Sequence, residues 1–297
     1  MSSRPSRPPI ALKGAVVLLT GASRGLGPVI ADLLAQRGAD LVLAARNARE
    51  LDAVAERLRP HGVRVLTVPT DVADRGQLTQ LAQRAEAELG RVDVLINNAA
   101  LEQLEFFEQL SEADADKFVA VNLTAPIQLT RLLLPGMITR GVGHVVNIAS
   151  IAGFGPAAFG ETYGATKAGI VGFTRSLRAS MKTVGSPISA SVVCPGFVTD
   201  AGMFADMQAT HAVRSPHFML GTCTPDEVAQ TVLRAIERDD PELFVGRRPM
   251  RVMMAIGLLF PRIQEFLSLR LGINEIFHEA ARSARDKADK NTPQARP

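Results

Sequence analysis

Seven short apolar runs, alternating with segments of helical spacing, constrain this chain more than any other feature. The runs are AVVLLT (15 to 20), LVLAA (41 to 45), RVLTV (64 to 68), VDVLIN (92 to 97), HVVNIA (144 to 149), SASVV (189 to 193) and ELFV (242 to 245). Their length and β-branched content read as strands. Between them, NARELDAVAERLR, DRGQLTQLAQRAEAELG, residues 113 to 138, residues 161 to 184 and TPDEVAQTVLRAIERD place apolar residues three and four apart. In the last, Thr224 and Glu227 have capping-box spacing, with Pro225 at the first helical position. A strand that reaches its parallel neighbour through a helix makes a right-handed crossover, and repeated crossovers cover both faces of the sheet. The expected fold is one α/β domain, a doubly wound parallel sheet of about seven strands with helices on both faces.

Length and composition agree with one large core: 297 residues, 46% hydrophobic and 21% charged. Residues 1–12, polar and proline-rich, read as a flexible arm without the apolar stretch of a signal peptide. The domain is expected over 13–249. Two cysteines, Cys194 and Cys223, are too few for a disulfide framework and have no metal-ligand spacing. His211 and His217 also lack a partner at ligand spacing, so no metal is expected. A cytoplasmic setting follows from these features. The 33 basic and 30 acidic residues give a net charge of +3 and are scattered, except at Arg247, Arg248 and Arg251, which argues against a nucleic-acid platform.

In a doubly wound sheet, ligands bind at the carboxyl ends of the strands. The first run ends in TGASRGLG, residues 20 to 27, where Gly21, Gly25 and Gly27 permit a tight strand-to-helix turn and close approach of a pyrophosphate. With Asp71-Val72 after the third run, NNAA (97 to 100) after the fourth, Asn122, Ser150, YGATK (163 to 167) and PG (195 to 196), the chain resembles the short-chain dehydrogenase/reductase family. The resemblance covers about residues 13 to 246 and is to the single-domain branch with the TGxxxGxG loop. It implies a Rossmann fold, oxidoreductase activity and a nicotinamide dinucleotide. It also implies cofactor contacts from Gly21, Ser23, Arg24, Gly25, Leu26, Gly27, Asp71, Val72, Asn98, Ala99, Pro195, Gly196, Val198 and Thr199. Thr199 stands one position earlier than the family's threonine, whose place is taken by Asp200.

Tyr163 is the only tyrosine in the chain, and Lys167 follows four positions later. Residues so spaced share a helix face. A free phenol, with a pKa of about 10, is a poor proton shuttle near neutrality, and a neighbouring ammonium lowers that value. Tyr163 can then give a proton to a carbonyl oxygen, or take one in reverse. The resemblance assigns it that role, with Lys167 also on the nicotinamide ribose, Ser150 polarising the substrate oxygen and Asn122 positioning a relay water.

The second run ends at Ala45, where an acid would bind a ribose 2′-hydroxyl, and Arg46 follows. Asp40 lies at the wrong end, about 16 Å away at roughly 3.3 Å per residue. Arg24 and Arg46 together suit a 2′-phosphate, so NADP(H) is expected over NAD(H). A lipophilic carbonyl or alcohol is the expected substrate, touching Ser150, Phe154, Phe159, Tyr163, Met203 and Phe204, with Leu101 beside them. A ketoacyl reductase lies within the same class. An idle NADP-sensing or partner-binding protein is the rival from another class, and a homo-oligomer is expected in either case.

Residues 250–280 form an apolar amphipathic helical extension. Its longest run, Val252 to Phe260, is shorter than the roughly 20 residues needed to span a bilayer. After Pro261, the residues Ile263, Phe266, Leu267, Leu271 and Phe277 recur at near-helical spacing. Two readings stand: a pair of helices packing over the pocket or on a sister subunit, which is preferred, or one lying on an anionic membrane face, helped by Arg247, Arg248, Arg251, Arg262 and Arg270. Residues 281–297 read as a disordered tail.

Overall fold

Strands covered on both faces are largely apolar, and β1 (Val16–Thr20), β4 (Val94–Asn97), β5 (His144–Ile148) and β6 (Ser189–Pro195) are buried at every position. The computed structural model describes residues 10–102, 104–200, 222–246, 249–270 and 272–291. With β2 (Asp40–Ala45), β3 (Val65–Pro69) and β9 (Glu242–Val245), these strands form a seven-stranded sheet in the order β3-β2-β1-β4-β5-β6-β9. Every pairing in it is parallel. All seven expected strands are present. A short parallel pair, β7 (Phe197–Val198) and β8 (Thr222–Cys223), lies outside the sheet and was not foreseen.

Alternation along a strand sends neighbouring side chains to opposite faces. In β1, Val17 and Leu19 enter one core with α1 (Leu26–Gln36), α2 (Ala48–Leu58) and α7 (Pro225–Arg238), while Val16 and Leu18 enter another with α3 (Arg75–Leu89) and α5 (Ala125–Arg140). The sheet is therefore doubly wound. α6 (Glu161–Thr183) packs along β6 and carries Ile170 and Val171 into a third core. The capping box of Thr224 and Glu227 forms as its spacing predicts.

Residues 113 to 138, read as one helix, are two. α4 (Glu112–Val119) and α5 flank a π-helical segment, Ala120–Thr124, that contains Asn122. An extra residue inserted in a helix commonly marks a functional site. The run 112–140 is long and apolar enough to cross a membrane, but Leu129, Leu133 and Met137 pack against the sheet.

Strand order reverses on either side of β1, whose neighbours are β2 and β4, so the crevice at their carboxyl ends is the expected ligand site. Over that crevice lie α8 (Pro249–Leu259) and α9 (Pro261–Arg270), and α10 (Ile273–Asn291) follows. The expected pair of helices is thus a trio. The tail expected to be disordered from 281 is helical to Asn291, because Ala280 and Ala281 are buried and Arg285 lies 5.0 Å over the Phe106 ring. At the other end, Ile10 and Leu12, read as part of a loose arm, are buried in the first core.

Candidate active site

The chain leaves β1 through Gly21 and Gly25, with φ of 66° and 61°, a region in which only glycine is unstrained. A Cβ on Gly21 would lie 2.8 Å from Ala99 Cα, and one on Gly27 would overlap Gly21 O. The turn is also stitched to the end of β4. The Thr20 hydroxyl accepts from Asn98 N and Ala99 N at 3.1 Å, and Asn98 Nδ2 donates to Thr20 O and Gly21 O at 3.0 and 3.1 Å. Deeper in β4, Asn97 donates to Asn147 of β5 at 2.8 Å, and Asn147 in turn donates to Thr174 of α6. Three strand ends and one helix are thereby held in register around the crevice.

The crevice opens into a cavity of about 980 Å³, at the upper end of the roughly 300–1,000 Å³ usual for small-molecule sites. Its wall contains Gly21, Ser23, Arg24, Gly25, Leu26, Arg46, Asp71, Val72, Asn98, Ala99, Ser150, Tyr163, Lys167, Pro195, Gly196 and Val198. Gly27 is buried behind the turn. Thr199 does not line the cavity; its backbone N–H donates to Cys223 O at 3.0 Å beside the β7–β8 pair.

Two expected substrate contacts lie elsewhere. The Phe154 ring packs on Phe244 at 4.9 Å beneath Arg175, inside the third core, and only the following Gly155, Pro156 and Ala157 reach the wall. Phe159, held at φ 60°, stacks on His278 of α10 at 5.2 Å and meets Phe106 edge-on. Leu101 does line the cavity. Met203 and Phe204 lie outside the described residues.

Ser150, two residues past β5, is extended, and its Oγ accepts from Ala152 N at 3.1 Å. The Ser150 hydroxyl also stands near the Tyr163 phenol, where it favours the phenolate. Burial outweighs it: desolvation, and then the nearby Glu102 carboxylate, push the phenol above its ordinary value, opposite to the lowering expected from Lys167. One helical turn on, Lys167 Nζ donates to Ile148 O at 2.9 Å and sits 5.5 Å from the Tyr163 ring centroid. Burial pulls its ammonium down to about 8, against an opposing pull from Glu102. The phenol, hydroxyl and amine thus meet at one point of the wall, a set able to bind a carbonyl oxygen and exchange one proton with it.

Asn122 does not line the cavity. Its amide clamps Leu101, accepting from Leu101 N at 2.7 Å and donating to Leu101 O at 2.8 Å, and Nδ2 also donates to Thr166 Oγ1 of α6 at 3.3 Å. The π-helical segment puts the side chain in reach of that strand-end loop, and the clamp sets the position of Glu102 next along the chain. Sequence reading missed Glu102. It lines the cavity, and burial lifts its carboxyl to about 7 despite the opposing charge of Lys167. The only signal was a lone acid two residues past NNAA, which without the fold resembles any loop carboxylate.

At the opposite end of the cavity, Arg24 and Arg46 are exposed and lie in the wall beside Ala45, with Asn47 and Glu50 from the start of α2. Asp40 lies at the amino end of β2, where its carboxylate pairs with Arg64 at 2.7 Å. The elements fit a nicotinamide dinucleotide: glycines where a phosphate needs bare backbone, Asp71 and Val72 across from them, and Lys167 with Tyr163 at the far end. From the extension, α8 and α9 bring Met253, Met254, Ile256, Ile263 and Leu267 to the wall. Their packing over the pocket is the preferred of the two sequence readings.

The family model for short chain dehydrogenases matches residues 15–212. Among curated relatives, the ketoacyl reductase HetN of Nostoc sp. (strain PCC 7120) is 40% identical over 84% of this chain and 86% of its own. A short-chain dehydrogenase/reductase from Burkholderia phymatum, solved in complex with NAD, superposes with a TM-score of 0.76 at 27% identity, covering 86% of this chain and 96% of that one. Actinorhodin polyketide ketoreductase with NADPH superposes with a TM-score of 0.72 at 29% identity, covering 78% and 95%.

Proposed function

The chain belongs to the short-chain dehydrogenase/reductase family and is an oxidoreductase using an NAD(P) cofactor, and from that premise we propose that it is an NADP(H)-dependent carbonyl reductase or alcohol dehydrogenase for lipophilic substrates. The observation that carries the chemistry is the meeting of Tyr163, Ser150 and Lys167 on the cavity wall. The substrate class is supported by the apolar side chains that α8 and α9 add to that wall. The 2′-phosphate preference is supported by Arg24 and Arg46 at the carboxyl end of β2, where no acid stands.

A nicotinamide dinucleotide held by the glycine turn, Asp71, Val72 and Lys167 would supply the hydride for the carbonyl carbon, or accept it from the alcohol. Ser150 and Tyr163 hold the oxygen by hydrogen bonds, which orients the carbon and stabilises the negative charge that builds on the oxygen. In reduction, Tyr163 Oη passes its proton to that oxygen, so C=O becomes CH–OH and a phenolate remains to be reprotonated from solvent. Lys167 stabilises the phenolate through its charge. Asn122 acts through Leu101, keeping the wall and Glu102 in position. A cytoplasmic location and a homo-oligomer belong to the same proposal; the two free, buried cysteines suit a reducing compartment.

A second reading within the class is a ketoacyl reductase of fatty-acid or polyketide type, favoured by the HetN match. Purified protein titrated with NADPH and NADH, followed by nicotinamide fluorescence, should bind NADPH more tightly, and hydrophobic ketones and aldehydes should then oxidise it. Turnover of short ketoacyl thioesters alone would select the second reading. Tyr163→Phe should lower kcat by about 10²- to 10⁴-fold with NADPH affinity unchanged; full turnover by this variant would overturn the mechanism.

A further inference from the structure

The two helices that close the cavity have a second face. Among the described residues, thirteen large hydrophobic side chains are exposed, and eight of them fall between Val252 and Leu269. Leu259, Phe260 and Phe266 are 73%, 55% and 61% exposed and touch neither core nor cavity. Single exposed apolar residues are ordinary, but this concentration on one helical hairpin is not. Its charge is one-sided: of the charged residues in 249–270, Arg251, Arg262 and Arg270 are basic and Glu265 alone is acidic, all four exposed. None of the three arginines forms an ion pair among the described residues.

The outer face shares its two helices with the cavity wall. Ile256 and Ile263, on the same helices as Leu259, Phe260 and Phe266, line the cavity and are 40% and 45% exposed. We infer that the α8–α9 hairpin docks on an anionic lipid bilayer, setting Leu259, Phe260 and Phe266 among the acyl chains and the arginines at the headgroups, with the cavity opening toward the lipid. An amphipathic surface of this kind lies in the interface plane and gains from apolar burial and anionic charge together. A second copy of the chain fits less well, because a two-fold contact would gather six arginines in one interface against two glutamates. Docking does not require the proposed substrate class to be correct, and it is measured without turnover.

The full-length chain should float with vesicles of phosphatidylcholine containing about a third phosphatidylglycerol, and weakly or not at all with phosphatidylcholine alone. Binding should weaken as salt is raised. The double variant Leu259→Glu with Phe266→Glu alters neither core nor cavity; it should lose vesicle binding by at least tenfold, while unfolding temperature and NADPH affinity stay at the parent values. The charge variant Arg262→Ser with Arg270→Ser should bind anionic vesicles more weakly and remain folded by the same criteria. Absence of flotation by the parent at low salt would overturn the inference, as would flotation unaffected by both variants. A parent dimer in light scattering that the Leu259→Glu, Phe266→Glu variant dissociates, without vesicle binding by either protein, would assign the face to a second copy instead.

Discussion

The glycine turn and the C-terminal hairpin line one cavity from two sides and are held in opposite ways. The turn is tied to β4 by four hydrogen bonds centred on Thr20 and Asn98, and Gly21 and Gly27 meet neighbouring backbone so closely that no side chain fits there. The hairpin rests on the domain through apolar contacts of Met253 and Met254 and one long hydrogen bond, Gln264 Nε2 to Phe154 O at 3.4 Å. Directional bonds define one geometry. Methionine contacts tolerate several. A cofactor of constant shape suits the first side and substrates of varied shape the second, so change in the two regions should be felt in different parameters.

Of the effects that separate the two sides, the largest would break the cofactor side. Arg46→Asp replaces the proposed phosphate partner with a carboxylate and should weaken NADPH binding by about 10- to 100-fold, the worth of a charge-assisted bond, while NADH binding improves or holds. Fluorescence titration reads both, and an unchanged NADPH preference would remove Arg46 from cofactor choice. A smaller effect tests the hairpin. Leu267→Ala opens the apolar wall and should raise KM for long-chain ketones by about tenfold, with NADPH affinity untouched. A matching loss of NADPH affinity would mean that the two sides are not independent.

The smallest effect concerns the seam between them. Glu102 raises the pKa of both Tyr163 and Lys167 through its negative charge. Glu102→Gln removes that charge, so both values fall, and the limb of alcohol oxidation that needs deprotonated Tyr163 should move to lower pH. The carboxyl titrates at about 7. Parent and variant profiles should therefore converge well below that pH, where Glu102 is already neutral. Coincident profiles at every pH would show that its charge does not reach the phenol.

Legibility in the sequence followed the range of the physics. The seven strands, the glycine turn and the capping box of Thr224 rest on periodicity and on contacts between residues a few positions apart, and all were readable. Tyr163 and Lys167 share a helix face for the same reason. The aromatic residues were misread because composition reports that a ring is apolar and not where it points: Phe154 turns into a core beside Phe244, and Phe159 onto His278, 119 positions away. The end of α10 was misread because polar residues and helix formers look disordered until buried Ala280 and Ala281 anchor them.

What the sequence determined by itself is the doubly wound sheet, the crevice at its carboxyl edge and the residue types that face it, since strand and helix periods and glycine's conformational freedom are local properties. Tertiary structure alone decided that Asn122 clamps Leu101 with its amide, that Glu102 stands among Tyr163 and Lys167, and that the hairpin closes one side of the cavity while leaving Leu259 and Phe266 exposed. Those arrangements depend on which distant segments share a small, poorly solvated volume, and charges and packing contacts there act through separations that no spacing along the chain encodes.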